Sequence, residues 1–266
     1  MNNKIGVGVI TCNREEFFKN CINSIPAVDK LVVVNDGQPY SKEAYPSKVT
    51  ELIQHEKNKC VGISKNEAMR YLMQNDCQHL FIIEDDMLIK KPDVFEQYLK
   101  AASVTGIWHL NFAYHGPANK DQNGNKRPRQ VVDYGNGIEI ALNPNIVGSF
   151  SYYLRGVIKA VGYMDERLKN CWEHVLHTHK IAQLGLHPPF WWFADLANSD
   201  DYIAEQACSE VNSVIRKTPE WQKNMREGME LYKYLMGDYP TKTMDTPPDR
   251  VLQILEQIRK NYAKAL

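Results

Sequence analysis

Three carboxylates in succession, Glu84-Asp85-Asp86, follow the apolar run Leu80-Phe81-Ile82-Ile83. Such a run reads as a strand buried on both faces, so the acids stand where the strand opens into a loop. Gathering three negative charges there is costly unless a cation meets them. A hard divalent ion, Mg²⁺ or Mn²⁺, suits the position, because it takes one or two carboxylates and fills its other sites with phosphate oxygens and water. The carboxyl ends of parallel strands are also where open α/β sheets bind ligands. Taken alone, an acidic triplet is equally compatible with a solvated turn.

A second constellation spans Cys171 to Leu186. Val175, Leu176, Ile181, Ala182 and Leu184 predict a helix that Gly185 would close. Glu173, His174 and His177 then fall close to one face, where a carboxylate and two imidazoles supply a general base and a metal ligand. Each histidine also suits a plain hydrogen-bonded structural role. The aromatic run His187-Pro188-Pro189-Phe190-Trp191-Trp192-Phe193 reads as core filler, or as rings (Trp172, Trp191 or Trp192) on which a sugar stacks. Residues 115–129 are polar and rich in turn formers, with Lys120, Lys126, Arg127 and Arg129. They read as a solvated loop, or as a mobile lid whose basic residues meet phosphate.

The elements that must position these groups alternate. Ile5 to Ile10 reads as a strand, Glu15 to Ile25 as a helix with Phe17, Phe18, Cys21 and Ile22 at helical spacing, and Leu31 to Val34 as a strand. A helix from Lys65 to Met73, the acidic strand, and a helix opening at Pro92-Asp93 follow. This order predicts an α/β fold, a mostly parallel sheet flanked by helices. Beyond it, Asp200 to Arg216 and Glu220 to Met236 read as helical. The final amphipathic helix puts Val251, Leu252, Leu255, Ile258 and Tyr262 on one side, to meet the core, a second subunit or a membrane surface. The expected division is a catalytic domain over 1–195, with halves meeting near 104, and a helical C-terminal extension over 196–266 packed on it.

Of the 266 residues, 43% are hydrophobic, enough for one substantial core. The 32 basic residues balance 32 acidic ones, so no global charge favours nucleic acid or an anionic membrane. The six cysteines form no C-x-x-C pair, which argues against a zinc knuckle or redox dithiol and for free thiols in a reducing compartment. No leader pattern or membrane-spanning run is visible, and the expectation is a cytoplasmic protein, at most peripheral at the inner face of a membrane. Neither G-x-G-x-x-G nor G-x-x-x-x-G-K-[ST] is present, so a nucleotide must be held by side chains and a metal.

Four motifs, Val9-Ile10-Thr11-Cys12-Asn13-Arg14, Val33-Val34-Asn35-Asp36-Gly37, Gly62 to Asn66 and Ile83-Glu84-Asp85-Asp86, together resemble the nucleotide-binding half of family 2-type GT-A glycosyltransferases. The resemblance, over residues 5 to 190, implies that Thr11, Asn13, Arg14 and Asp36 hold the nucleoside and that Lys65 and Asn66 close over base or ribose. It implies that Asp86 ligates the metal and Asp85 meets ribose or metal, with Glu84 standing where many relatives have Asp. Gly162-Tyr163-Met164-Asp165-Glu166 and the helix after it resemble the acceptor side, with Glu173-His174 in place of the usual Glu-Asp pair. Glu173 is then the favoured base, His174 the alternate base or a substrate contact, and His177 a metal or phosphate ligand.

The implied activity is transfer of a sugar from a UDP-sugar to a hydroxyl, with Mn²⁺ or Mg²⁺ and with inversion. The acceptor expected first is a surface polysaccharide or glycolipid under assembly, and second a modified base of phage DNA. A nucleotidyltransferase and a non-catalytic sugar-binding module are the readings from other classes.

Overall fold

The computed structural model describes residues 3–206, 216, 219–240 and 246–265. Its centre is a six-stranded sheet. Strands β1 (Ile5–Thr11), β2 (Lys30–Asn35), β3 (Glu51–Gln54) and β4 (His79–Glu84) are parallel, while β9 (Phe150–Leu154) runs antiparallel to both β4 and β6 (His109–Asn111). The spatial order is β3-β2-β1-β4-β9-β6. The three strands and three helices expected in the first hundred residues are all formed, with α1 (Glu15–Ser24), α2 (Val61–Gln74) and α3 (Val94–Thr105) as the helices.

The strand period of two divides the core into two layers. Val7, Val9, Leu31, Val33, Phe81 and Ile83 face Phe18, Ile22, Phe95 and Tyr98 of α1 and α3. Ile10, Val32, Val34, Leu80 and Ile82 face the other way, onto Ala68, Met69 and Leu72 of α2 and onto α4 (Arg155–Val161). Gly6 and Gly8 also lie on the α2 side, and a Cβ on Gly8 would sit 2.7 Å from Ala68 Cβ. Their missing side chains let α2 lie close against β1 and bring its first turn to the strand ends. A third cluster joins α5 (Glu173–Gln183) to α6 (Trp221–Met236) through Leu176, Phe190, Phe193 and Tyr232.

Two features depart from the sequence expectation, and the aromatic run takes the first of its two readings. Asp200 to Arg216 was expected to be helical. Instead Ser199–Asp201 is a single 3-10 turn, followed by β11 (Ile203–Glu205), which pairs antiparallel with β5 (Met87–Ile89) beside the acidic triplet. Residues 207–215, with Cys208, lie outside the described residues. The 105–150 stretch contains β7 (Gln130–Asp133) and β8 (Glu139–Asn143), which join β10 (Phe193–Leu196) in a second, antiparallel sheet. The aromatic run packs as core: Phe190, Trp192 and Phe193 are buried, and Trp172 donates its indole N–H to the carbonyl of Met225 on α6 at 3.2 Å. The cysteines at 12, 21, 60, 77 and 171 are free. No described helix is long and apolar enough to cross a membrane.

The last helix, α7 (Pro248–Ala265), lies on α3. Val251, Leu255 and Ile258 are buried in the larger core layer, and Gly106, with φ +76°, ends α3 so close to α7 that a Cβ there would meet Tyr262 Cβ at 2.8 Å. The apolar side of this helix meets the core. Leu255→Ala and Ile258→Ala should therefore each cost about 2–4 kcal/mol in urea denaturation, whereas Leu252→Ala, at a position 38% exposed, should cost under about 1 kcal/mol. Equal effects at all three positions would contradict this docking.

Candidate active site

Parallel strands that end on one edge of a sheet deliver their following loops to one place. Here the loops after β1, β2 and β4 bring Thr11, Arg14, Asp36 and Glu84-Asp85-Asp86 to a cavity of about 700 Å³. Its opposite wall is Ile146 to Ser149, just before β9, together with Glu173 and His174 of α5; His115 and Arg216 also line it.

The structure gives the three adjacent carboxylates three environments. Asp85 is fully buried, accepts the Thr11 hydroxyl at 2.6 Å and pairs with the Arg14 guanidinium. Burial pushes its pKa up to about 7 against the pull of Arg14. Gln206 fastens the turn, donating its side-chain amide to the Asp85 carbonyl (2.8 Å) and its backbone N–H to the Asp86 carbonyl (2.7 Å). Glu84 turns toward α2 and pairs with Lys65 at 2.7 Å.

Asp86 faces the cavity. Its Oδ2 lies 3.2 Å from Arg14 and 3.5 Å from His115 Nε2, while its Oδ1 is buried and has no hydrogen-bond partner. Burial opposes its charge, but His115 and then Arg14 outweigh this and hold the carboxyl below its usual range. An ionised carboxylate with one buried oxygen left unbound suits a hard cation. Among the described residues no three His, Cys, Asp or Glu side chains are gathered around one point, so a cation here would draw most of its ligands from substrate and water.

Lys65, expected over base or ribose, is instead 1% exposed and does not line the cavity. Its Nζ joins Glu84 at 2.7 Å, Glu173 at 3.6 Å and the Gly148 carbonyl at 3.0 Å. Glu173, in the first turn of α5, is 2% exposed, and its Oε1 lies 3.0 Å from His174 Nδ1. Burial favours the neutral acid, but the adjoining His174 and then Lys65 outweigh it and hold the Glu173 pKa at about 2. The N-terminal end of the helix favours the same charge. Gly148 makes room for this cluster, since a Cβ there would come 2.8 Å from His174 Cγ and 3.1 Å from Lys65 Nζ. His174 Nε2 has no partner among the described residues and its ring lines the cavity.

On the β2 side, Asp36 is buried, accepting the Lys59 N–H at 2.6 Å and facing His55 Nδ1 at 2.6 Å. The other nitrogen of His55 meets Glu67 at 2.6 Å. Asn13, with φ +54°, is exposed and accepts the Gln38 N–H at 2.8 Å; it ties two loops together outside the cavity. Asn66 is wholly buried and bonds Met164 through both its N–H and its carbonyl, latching α2 to the turn before α5.

His177, expected as a metal or phosphate ligand, is a buried core residue. Nε2 lies 2.9 Å from the Gly162 carbonyl, the ring packs on Tyr153, and burial lowers its pKa to about 4. None of Trp172, Trp191 and Trp192 lines the cavity. Of the expected residues, the structure thus gathers Thr11, Arg14, Asp36, Glu84, Asp85, Asp86, Glu173 and His174, and leaves Asn13, Lys65, Asn66 and His177 outside. Sequence reasoning missed His115 and Gly148. A histidine in a polar loop carries no local mark of a partner 29 positions earlier in the chain.

No family model matches the chain, and no curated protein matches its sequence. Solved structures do match in fold. TarS of S. aureus is 20% identical with a TM-score of 0.57, over 96% of this chain and 42% of that one. The mannosyltransferase PcManGT from Pyrobaculum calidifontis, in complex with GDP-Man and Mn²⁺, is 13% identical with a TM-score of 0.58, over 98% and 73%. Glucosyl-3-phosphoglycerate synthase from Mycobacterium tuberculosis, in complex with Mn²⁺, UDP and glucosyl-3-phosphoglycerate, is 14% identical with a TM-score of 0.53, over 89% and 81%. The chain spans under half of TarS. The fold is that of the GT-A glycosyltransferases.

Lys65 is the buried cation between two carboxylates, and Lys65→Met removes it without removing volume. The loss should be about 3–5 kcal/mol at neutral pH in urea unfolding. Adding Glu173→Gln to Lys65→Met should recover part of the loss, because it removes a carboxylate left without its cation; an unchanged deficit in the double variant would mean that Lys65 acts by packing alone.

Proposed function

With the GT-A fold as premise, we propose that this chain is a metal-dependent glycosyltransferase, moving a sugar from a UDP-sugar to a hydroxyl of a glycan or glycolipid in surface-polysaccharide or related assembly. The observation that carries this reading is the buried, partnerless Asp86 Oδ1 in a cavity whose far wall holds the Glu173–His174 pair. The neighbours crystallised with Mn²⁺ and UDP or GDP-Man support the donor class. A divalent cation on Asp86, when bound, neutralises charge growing on the departing diphosphate. Arg14 and Arg216 bring guanidinium groups to the same cavity, and Asp36 lies on its nucleoside side.

The electrostatics favour His174, rather than the expected Glu173, as the base. A carboxylate held at about 2 is a weak proton acceptor near neutral pH. Glu173 orients the imidazole through Nδ1 and stabilises the imidazolium that forms, leaving Nε2 to take the proton of the attacking hydroxyl. One displacement of this kind inverts the anomeric centre.

Glycan is favoured over modified DNA as acceptor because Lys120, Lys126 and Arg129 of the 115–129 segment are engaged locally. Lys120 pairs with Glu205 at 3.1 Å, Lys126 with Asp200 at 2.7 Å, and Arg129 lies over the Trp192 ring.

Calorimetric titration of UDP with Mn²⁺ should show binding that falls tenfold or more with chelator or with Asp86→Asn; binding indifferent to both would remove the metal-site assignment. For the base, UDP release from UDP-sugars should fall about 10²–10⁴-fold in His174→Gln with UDP affinity retained. Full activity in His174→Gln alongside an inactive Glu173→Gln would return the role to Glu173.

A further inference from the structure

His115 belongs to neither constellation that the sequence marks, yet its Nε2 lies 3.5 Å from Asp86 Oδ2 at the cavity wall. Neither His115 Nε2 nor Asp86 Oδ1 has a hydrogen-bond partner, although both atoms are buried. Nε2 stands among carboxylate oxygens, Asp86 Oδ2 at 3.5 Å and Glu205 Oε2 at 3.9 Å, and buried polar atoms without a hydrogen bond, here this nitrogen and Asp86 Oδ1, mark a place for a ligand.

The chain around His115 is firmly built. Asp195, fully buried, accepts the Ala113 N–H at 2.9 Å, and the Asn119 side chain donates to the Ala113 carbonyl at 2.8 Å. Asn119 also donates to the Asn145 carbonyl at 2.9 Å and accepts its N–H at 3.0 Å, joining the turn to the cavity wall. The Gly116 N–H donates to Glu205, which also pairs with Lys120. Glu205 is on β11, paired to the strand that starts directly after Asp86. Both histidine and aspartate are thus referred to the same two strands.

We propose that His115 is the second protein ligand of the divalent cation held by Asp86, so that the segment after β6 completes the metal site; this rests on the metal-dependent reading above. Adjacent ligands of an octahedral ion with bonds near 2.1 Å stand roughly 3 Å apart, close to the separation found here. Two protein donors leave the remaining positions to diphosphate oxygens and water. An imidazole nitrogen beside a carboxylate also predicts selectivity, because nitrogen ligands favour transition-metal ions over Mg²⁺.

The test is pulsed electron paramagnetic resonance on the full chain with Mn²⁺ and UDP, with metal affinities from the free Mn²⁺ signal and from Mg²⁺ competition. Wild type should show the ¹⁴N modulation of a directly bound imidazole. His115→Ala and His115→Gln should both lose it, with Mn²⁺ affinity down about tenfold and Mg²⁺ affinity changed much less. Absence of ¹⁴N modulation in wild type that holds Mn²⁺, its persistence in both variants, or unchanged Mn²⁺ affinity would overturn the assignment. Loss of Mn²⁺ in Asp86→Asn with no effect at His115 would overturn it while leaving the glycosyltransferase reading intact. Wild type that binds no Mn²⁺ with UDP present would overturn both.

Discussion

The buried ammonium of Lys65 holds the cavity face of this protein together. A lysine 1% exposed is tolerated only with charge and hydrogen bonds around it, and Lys65 has Glu84, Glu173 and the Gly148 carbonyl. These partners come from the end of β4, the start of α5 and the lead-in to β9. One side chain therefore sets the spacing between the acidic strand end and the Glu173–His174 pair. Gly6 and Gly8 make it possible, because the close approach of α2 to β1 places Lys65 behind the cavity rather than in it.

Environment, rather than residue type, sorts the acids of the site. Glu84, Asp85 and Asp86 are consecutive, yet one neutralises a buried lysine, one is an interior anchor pushed toward neutrality, and one keeps an unbound oxygen. The same physics separates Glu173 from His174. The adjoining His174 ring and Lys65 lower the affinity of Glu173 for a proton, and the imidazole, held through Nδ1, lines the cavity.

Around this centre a second set of polar contacts ties the two halves of the chain. Asp195 and Asn119 fix the segment after β6, Glu205 holds its far side, and Gln206 grips the backbone of the acidic turn. Asp195 sits in a cage of the Tyr98 and Ser199 hydroxyls and the Ala113 and Leu196 N–H groups, and burial pushes its pKa to about 7. The short β5–β11 pair belongs to this framework, bringing a segment more than a hundred positions away to the mouth of the cavity.

What the sequence determined by itself is what local periodicity and composition can encode. Alternating strands and helices up to α3, the helix that begins at Glu173 and closes before Gly185, the amphipathic final helix, and the acidic triplet at a strand end were all legible, because each depends on neighbours within a turn or two of chain. Tertiary structure decided the rest. Lys65 and Asn66 lie next to one another on a helix that does reach the site, but packing against β1 directs both side chains away from the cavity. His177 shares a helix face with Glu173 in sequence, and burial against Tyr153 and Gly162 makes it core. β11 forms because Ile203 to Glu205 find a strand partner at Met87 to Ile89, and His115 meets Asp86 because buried carboxylates and amides hold its loop there. Contacts of that length leave no periodic trace, since chain spacing fixes which residues share a face and only folding fixes what that face meets.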